Sequence, residues 1–410
     1  MSSWTPVERR LLDLAVHPEH FGLAAPRGDP PVTPAGEALV AAHRAWQPRV
    51  EMGIRVDLTA LAEARADVAR AVREGTRRLG PGRGKDTPQT REWLWRHLGV
   101  LLPRNPDTGL ATLAHESWPD AVVPAESAEE WAAWCELRTA TASAGILASI
   151  AASLGDDAMV HPVIDVFGAR TGRMSIRHPA MQATTRRLRH LFMARPGMVL
   201  VGADVCAMEP SVAAWLSADE VLTADLASGD AYLALARSVY GHEAGPVERE
   251  RAKIALLATL YGQGTASLAQ RLGIAQPAAK ELLGGLEGRY RRLFRWFREL
   301  ERDCDHLVTP WGRPLPVPPP DPGTGRPRHY LARNWVVQGS AADLFRRCVQ
   351  RVADHDAAAC WLPIHDELVL EVAEARAERA AGYLTEAMGP RLGDVQLRAD
   401  ARVLGTHWSK

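Results

Sequence analysis

A chain of 410 residues is too long for one simple core and suits two or three subdomains around a cleft. Its 46% hydrophobic and 24% charged residues are an ordinary globular balance. No apolar run reaches the roughly 18 residues of a membrane span, and no basic-then-apolar signal segment follows Met1. The 49 basic residues match the 49 acidic ones. Nucleic-acid binding would therefore rest on local clusters, not on net charge. Three such clusters stand out: Arg73, Arg77, Arg78, Arg83 and Lys85; Arg186, Arg187, Arg189 and His190; and Arg289, Arg291, Arg292, Arg295 and Arg298. Each would serve equally as a solvated helix face. The five cysteines (Cys135, Cys206, Cys304, Cys348, Cys360) show no CxxC spacing and are expected as reduced thiols, which points to a cytoplasmic protein.

In chain order, residues 1–45 are rich in Pro, Gly and Ala, with one predicted helix from Pro6 to Val16, and are expected as an extension or small docking piece. Leu58–Arg78 is predicted helical, with Asp57 as N-cap and Gly80-Pro81-Gly82 ending it. Thr90–Leu98 and Ala128–Leu154 carry helical apolar periodicity. Met198–Val201 is a short apolar run that predicts a buried strand delivering Asp204 at its end. Asp219–Leu300 is mostly helical, broken at Gly241–Pro246, Gly262–Gly264 and Gly273. Val308–Pro322 is turn-rich, with Trp311-Gly312-Arg313 as a hairpin candidate. Asn334–Asp354 is a helix, and Trp361–Val372 is expected as two strands around a tight acidic turn. The predicted architecture is α+β: a small sheet with acids at its strand ends, and between them a helical insertion of about a hundred residues.

Two constellations carry chemistry. Asp204 ends one strand; Asp366 and Glu367 occupy the turn of Ile364-His365-Asp366-Glu367-Leu368. Carboxylates at adjacent strand ends can hold two divalent ions about 3.5–4 Å apart, which activate a hydroxyl and neutralise a leaving phosphate. Hard oxygen donors favour two Mg2+ ions, with Mn2+ as a substitute. A plain polar hairpin turn has the same sequence, and spacing alone does not separate the two. The second constellation is Arg249, Lys253, Leu257 and Tyr261, four apart and so on one helical ridge. Two cations and an aromatic suit a nucleoside triphosphate; a surface helix with two solvated cations is the alternative. Only four of the 49 basic residues are lysines (Lys85, Lys253, Lys280, Lys410). A lysine at 253 therefore fits a task needing a proton that arginine cannot release.

These residues resemble family A DNA polymerases, the bacterial polymerase I type. Ala203-Asp204-Val205-Cys206-Ala207-Met208-Glu209-Pro210 resembles motif A, Arg249 through Tyr261-Gly262 resembles motif B, and Ile364-His365-Asp366-Glu367 resembles motif C. Arg170-Thr171-Gly172-Arg173-Met174-Ser175 with Gln182, Asn334–Leu344 with Gln338-Gly339-Ser340-Ala341-Ala342-Asp343, and Glu51–Asp57 match three further family segments. The resemblance covers about residues 46–410. It implies a right-hand polymerase fold with an antiparallel palm sheet, helical fingers and a helical thumb. The implied division is an extension at 1–45, thumb at 46–160, palm at 161–235 and 331–410, and fingers at 236–330.

The resemblance also implies roles. Asp204 and Asp366 would hold the metals, helped by the Val205 carbonyl. Arg249 and Lys253 would bind the triphosphate, with Lys253 able to protonate pyrophosphate. Leu257 and Tyr261 would sit at the incoming nucleotide and templating pair, and Glu209 would exclude a ribose 2′-hydroxyl. Arg173, Gln182, Asn334 and Gln338 would contact primer-template DNA. His365 and Glu367 would support the primer terminus and the metal site, Glu367 as part of the catalytic set. The chain departs from the family pattern at Val205, Ala207 and Ser211, where Tyr, Gln and Arg are usual. It departs again at Leu257, where an aromatic is usual, and at Tyr330, where an arginine is expected. Residues 1–45 are too short for a nuclease domain. The expectation is a DNA polymerase using dNTPs without proofreading or 5′-nuclease activity, with any accessory protein unspecified. A catalytically weak DNA-binding or accessory protein is the alternative.

Overall fold

The computed structural model describes residues 4–22, 30–102, 111–113, 118, 121–321 and 324–409. Pro322, at the end of the expected turn-rich stretch, and Lys410 lie outside them. Two helices open the chain, α1 (Pro6–Leu14) and α2 (Pro34–Met52). Each starts on a threonine cap followed by proline: Thr5 accepts from Glu8 N–H, and Thr33 from Gly36 N–H. Strand β1 (Ile54–Val56) leads into α3 (Leu58–Leu79), capped by Asp57 and stopped at Gly80 as expected. Helices α4 (Pro88–Leu98) and α5 (Ala128–Ala152) follow, and α5 packs along α3. Short strands β2 (Met159–Val160), β3 (Val163–Asp165), β4 (Ser175–Arg177) and β5 (Phe192–Met193) then lead to the eight-residue strand β6 (Met198–Val205).

Seven helices come next: α6 (Met208–Ser217), α7 (Glu220–Ala227), α8 (Ala231–Tyr240), α9 (Pro246–Leu260), α10 (Thr265–Leu272), α11 (Gln276–Arg289) and α12 (Arg291–Arg302). The long α13 (Leu331–Asp356) brings the chain back to β7 (Cys360–Ile364) and β8 (Glu367–Ala373). Helix α14 (Ala377–Met388), the small hairpin β9 (Arg391–Leu392) and β10 (Val395–Gln396), and β11 (Ala399–Gly405) end it. β11, β6, β8 and β7 lie side by side in that order, every neighbour antiparallel. β7 and β8 are near-continuous apolar runs because helices cover the sheet: α14 lies against β6 and β11, and α13 against β7.

The main departure from the sequence reading is α2, which was read as part of a Pro-rich extension. It is a 19-residue helix that runs through the expected 45/46 boundary and carries Pro48 inside it. Trp46, Leu39 and Val40 of α2 are buried with Leu11, Leu12 and Leu14 of α1 in the same core as the sheet. Each such side chain contributes about 1.5–3 kcal/mol on burial, enough to override the helix-breaking composition. Helix α14 and strand β11 were also not anticipated. Among the described residues no helix is long and apolar enough to cross a membrane, and all five cysteines are free thiols.

Candidate active site

The site lies at the end of the central sheet. β6 pairs with β8 so that Asp204 stands opposite Glu367, and with β11 so that Asp204 stands opposite Asp400. Residues paired this way across strands face the same side. Asp204 is exposed, Asp366 half-buried in the β7–β8 turn, and Glu367 buried. Val205 N–H donates to the Asp366 carbonyl at 3.2 Å, which locks the two acid-bearing turns together. The backbone is left-handed at Ala207 (φ 48°) and His365 (φ 54°), both non-glycine. Such positions cost about 1–3 kcal/mol and persist only where the surroundings enforce them.

Burial pushes the Asp366 carboxyl above its ordinary range and the Asp204 carboxylate adds to this, while Arg173 pulls it back. A buried carboxyl whose ionised form is opposed by a neighbouring carboxylate is a setting that a divalent cation relieves. The donors here, Asp204, Asp366 and the Val205 carbonyl, are all hard oxygens and so fit Mg2+ or Mn2+. Glu367 is held differently: Arg189 Nη1 donates to its Oε2 at 3.3 Å, and the Arg189 guanidinium lies 4.3 Å from the Trp408 ring centre. The sequence placed Arg189 only in a basic cluster. A buried acid requires a cation, but sequence does not say which one.

A second knot joins the sheet to the helical insertion. Glu209, in the first turn of α6 and buried, pairs with Arg173 and accepts from Tyr261 Oη at 3.2 Å. Burial raises its pKa; Arg173, Tyr261 and Gln338 act against that shift. Arg173 sits in the loop between β3 and β4, just after Gly172 (φ 90°), where a Cβ would come within 2.8 Å of Arg313 Nη2. Arg313 Nη2 donates to the carbonyls of Thr171 (2.9 Å) and Gly339 (3.0 Å), and Arg346 donates to that of Gly172. Both arginines converge on Asp343. The Trp311-Gly312-Arg313 turn, read from sequence only as a hairpin candidate, is thus the underside of the Arg173 loop. Thr171 Oγ1 donates to Gln338 Oε1 at 2.5 Å. Gln182 spends its amide on backbone, accepting from Ile176 N–H (3.3 Å) and donating to the Met174 carbonyl (3.2 Å).

On α9 the expected ridge forms. Arg249, Lys253, Leu257 and, at its C-cap, Tyr261 are half-buried in a row, while Ala252, Ala255, Leu256 and Ala258 face the core. Both cations carry a local acid: Arg249 Nε lies 2.5 Å from Asp230 Oδ2, and Lys253 Nζ 3.5 Å from Glu250 Oε1. Asp230 was missed in the sequence; as the N-cap of α8 it has a structural reason to be there. Asn334, in the first turn of α13, lines a cavity of about 840 Å³ with Arg170, Tyr261, Gly262, Tyr330 and Trp335. Gly262 (φ 69°) admits this close approach, since a Cβ there would stand 2.7 Å from the Tyr330 carbonyl. The structure therefore brings Asp204, Asp366, Glu367, Glu209, Arg173, Tyr261 and Gln338 into one neighbourhood. Arg249 and Lys253 are held along α9 by their own acids, and His365 is exposed at the turn.

This arrangement, an antiparallel sheet with acids at its strand ends beneath a helical insertion, has the fold of a family A polymerase domain. The solved POL domain of Pol1 from M. smegmatis, in complex with DNA primer-template and dNTP, superposes with a TM-score of 0.75 at 24% identity, covering 97% of this chain and 72% of that one. The family model for DNA polymerase family A matches residues 122–410, and the chain belongs to that family. It is 30% identical over 260 residues to the DNA polymerase of Mycobacterium phage D29, covering 60% of this chain and 41% of the phage protein. It is also 30% identical over 275 residues to DNA polymerase I of Chloroflexus aurantiacus, covering 61% and 29% respectively. The aligned stretch is less than half the length of each of these two relatives.

Proposed function

We propose that this chain extends a primer 3′ end on a DNA template, adding dNTPs by two-metal phosphoryl transfer. The observation that carries this is the locked pair of acid-bearing turns at Asp204 and Asp366, facing the Glu209–Arg173–Tyr261 knot. Asp204, Asp366 and the Val205 carbonyl would hold two Mg2+ or Mn2+ ions, which when bound would lower the pKa of the primer hydroxyl and neutralise charge on the phosphates. Arg249 and Lys253 would receive the triphosphate by exchanging Asp230 and Glu250 for it, and Lys253 can give a proton to the leaving pyrophosphate. Glu367, fixed by Arg189, and His365 would brace the primer terminus. Gln182 would act through the Met174–Ile176 backbone that it clamps, and Asn334, Arg173 and Gln338 would line the DNA side. In this scheme residues 46–160 are thumb, 161–235 and 331–410 palm, and 236–330 fingers, with α2 packed into the core of the sheet across the 45/46 boundary.

Primer extension with purified protein, Mg2+ and dNTPs against rNTPs tests this. Absence of template-directed product with either metal would favour the alternative, a DNA-binding accessory protein. That alternative draws support from the acid partners on both α9 cations and from Leu257.

Glu209 occupies the place of a sugar gate. Glu209→Ala is expected to narrow the preference for dNTP over rNTP, read as the ratio of kcat/KM values. Overall rate should fall too, because Arg173 and Tyr261 lose their partner. An unchanged ratio removes Glu209 from the gate. Leu257 offers the incoming sugar no flat face, and an aromatic contact adds about 0.5–1.5 kcal/mol beyond area burial. Leu257→Phe is therefore expected to tighten apparent dNTP binding by roughly two- to tenfold. Equal dissociation constants would mean that this side chain does not meet the nucleotide.

A further inference from the structure

Outside the cleft, three donor side chains converge beyond the end of α1. After Leu14 the chain turns and makes one 3-10 turn, Pro18–His20. One donor atom from each of His17, Glu19 and His20 lies within 4.8 Å of the other two, the only such set of three or more among the described residues. The two imidazole rings lie nearly parallel, with centroids 4.9 Å apart. Asp13, in the last turn of α1 and 8% exposed, lies with its Oδ2 2.9 Å from His20 Nδ1. A histidine whose Nδ1–H is taken by a carboxylate presents its Nε2 lone pair outward in a fixed direction. Pro18 between the donors restricts φ and stiffens their spacing.

We propose that His17, Glu19 and His20 bind one transition-metal dication of the zinc type, with Asp13 positioning His20. Two imidazole nitrogens and one carboxylate oxygen, with a fourth position for water, are a known zinc donor set. Imidazole donors disfavour Mg2+, so this site selects a different ion from the oxygen donors of the cleft. Tetrahedral bonds of about 2.0–2.2 Å put donor atoms roughly 3.4 Å apart. Modest side-chain rotation closes the set, because His17, Glu19 and His20 are 45%, 63% and 41% exposed at their side chains. The bound ion would clasp the turn to α1, whose Leu11, Leu12 and Leu14 lie in the core. The site lies outside the cleft, so its expected effect is on the stability of this turn.

Titrating the full chain with Co2+ in excess Mg2+ tests this, since Mg2+ fills the oxygen sites and Co2+ reports imidazole ligation by visible d–d absorption. One equivalent is expected to bind, with a rise in thermal midpoint. His17→Ala and His20→Ala should abolish the absorption while primer-template binding persists, which shows the variants are folded. Asp13→Asn should weaken Co2+ by roughly 10–100-fold, as loss of an orienting partner does. The proposal is overturned if the double variant His17→Ala/His20→Ala binds Co2+ like the parent. It is equally overturned if the parent takes up none at tens of micromolar.

Discussion

Asp204→Ala or Asp366→Ala is expected to lower single-turnover nucleotide incorporation by on the order of a hundredfold or more, the usual cost of removing one main electrostatic stabiliser. Folding should survive both changes. Asp204 is exposed at the end of β6, so its loss opens no cavity. At Asp366 the contact to Val205 runs through the backbone carbonyl, which alanine keeps. Asp366→Ala should even relieve a carboxyl that burial and Asp204 already push toward protonation. Lost catalysis with retained stability and retained primer-template affinity would therefore separate a metal ligand from a structural acid. Extension at near-parental rate by either variant would reduce this turn to a polar hairpin.

Arg49→Met is expected to destabilise the protein by about 3–5 kcal/mol, the cost of stripping one partner from a buried ion pair. Arg49, at 0% exposure on α2, lies 3.0 Å from Glu371 of β8. It also donates to the carbonyls of Cys360 (3.0 Å), Gly53 (3.3 Å) and Ala358 (3.1 Å). One guanidinium thus ties α2 to both β7 and β8 of the central sheet. Removal leaves three acceptors without this donor, and Glu371 with Arg195 alone at 2.8 Å. Arg49→Lys should recover little, because a compact ammonium cannot span four acceptors. The double change Arg49→Met/Glu371→Leu should be milder than Arg49→Met, since no unpaired charge stays behind. Urea unfolding followed by tryptophan fluorescence reads all three. A shift below about 1 kcal/mol for Arg49→Met would mean that α1 and α2 are an appendage after all.

Much of the site was legible because its chemistry is local in sequence. An apolar run followed by Asp204, an acidic turn between two apolar runs, and a four-residue cation spacing each depend only on the period of a strand or helix. Helix α3 was legible for the same reason, since Asp57 and Gly80 mark its ends within one turn. The partners of these residues were not legible. Arg189 on Glu367, Arg313 beneath Gly172, Asp230 on Arg249 and Glu371 on Arg49 join residues 19 to 322 positions apart, and no local period encodes which distant charge closes a pair.

Helix α2 shows the opposite limit. Its Pro, Gly and Ala content suggests an extension, and it becomes a helix because Trp46 and Leu39 find a core to enter. The sequence by itself determined which acids end strands, which cations share a ridge, and the family to which those motifs belong. The tertiary structure decided which of them meet, and that α1 and α2 belong to the body of the molecule. Burial stabilises distant partners only once the chain has folded, and the ion pair that secures α2 to the sheet exists nowhere but in that fold.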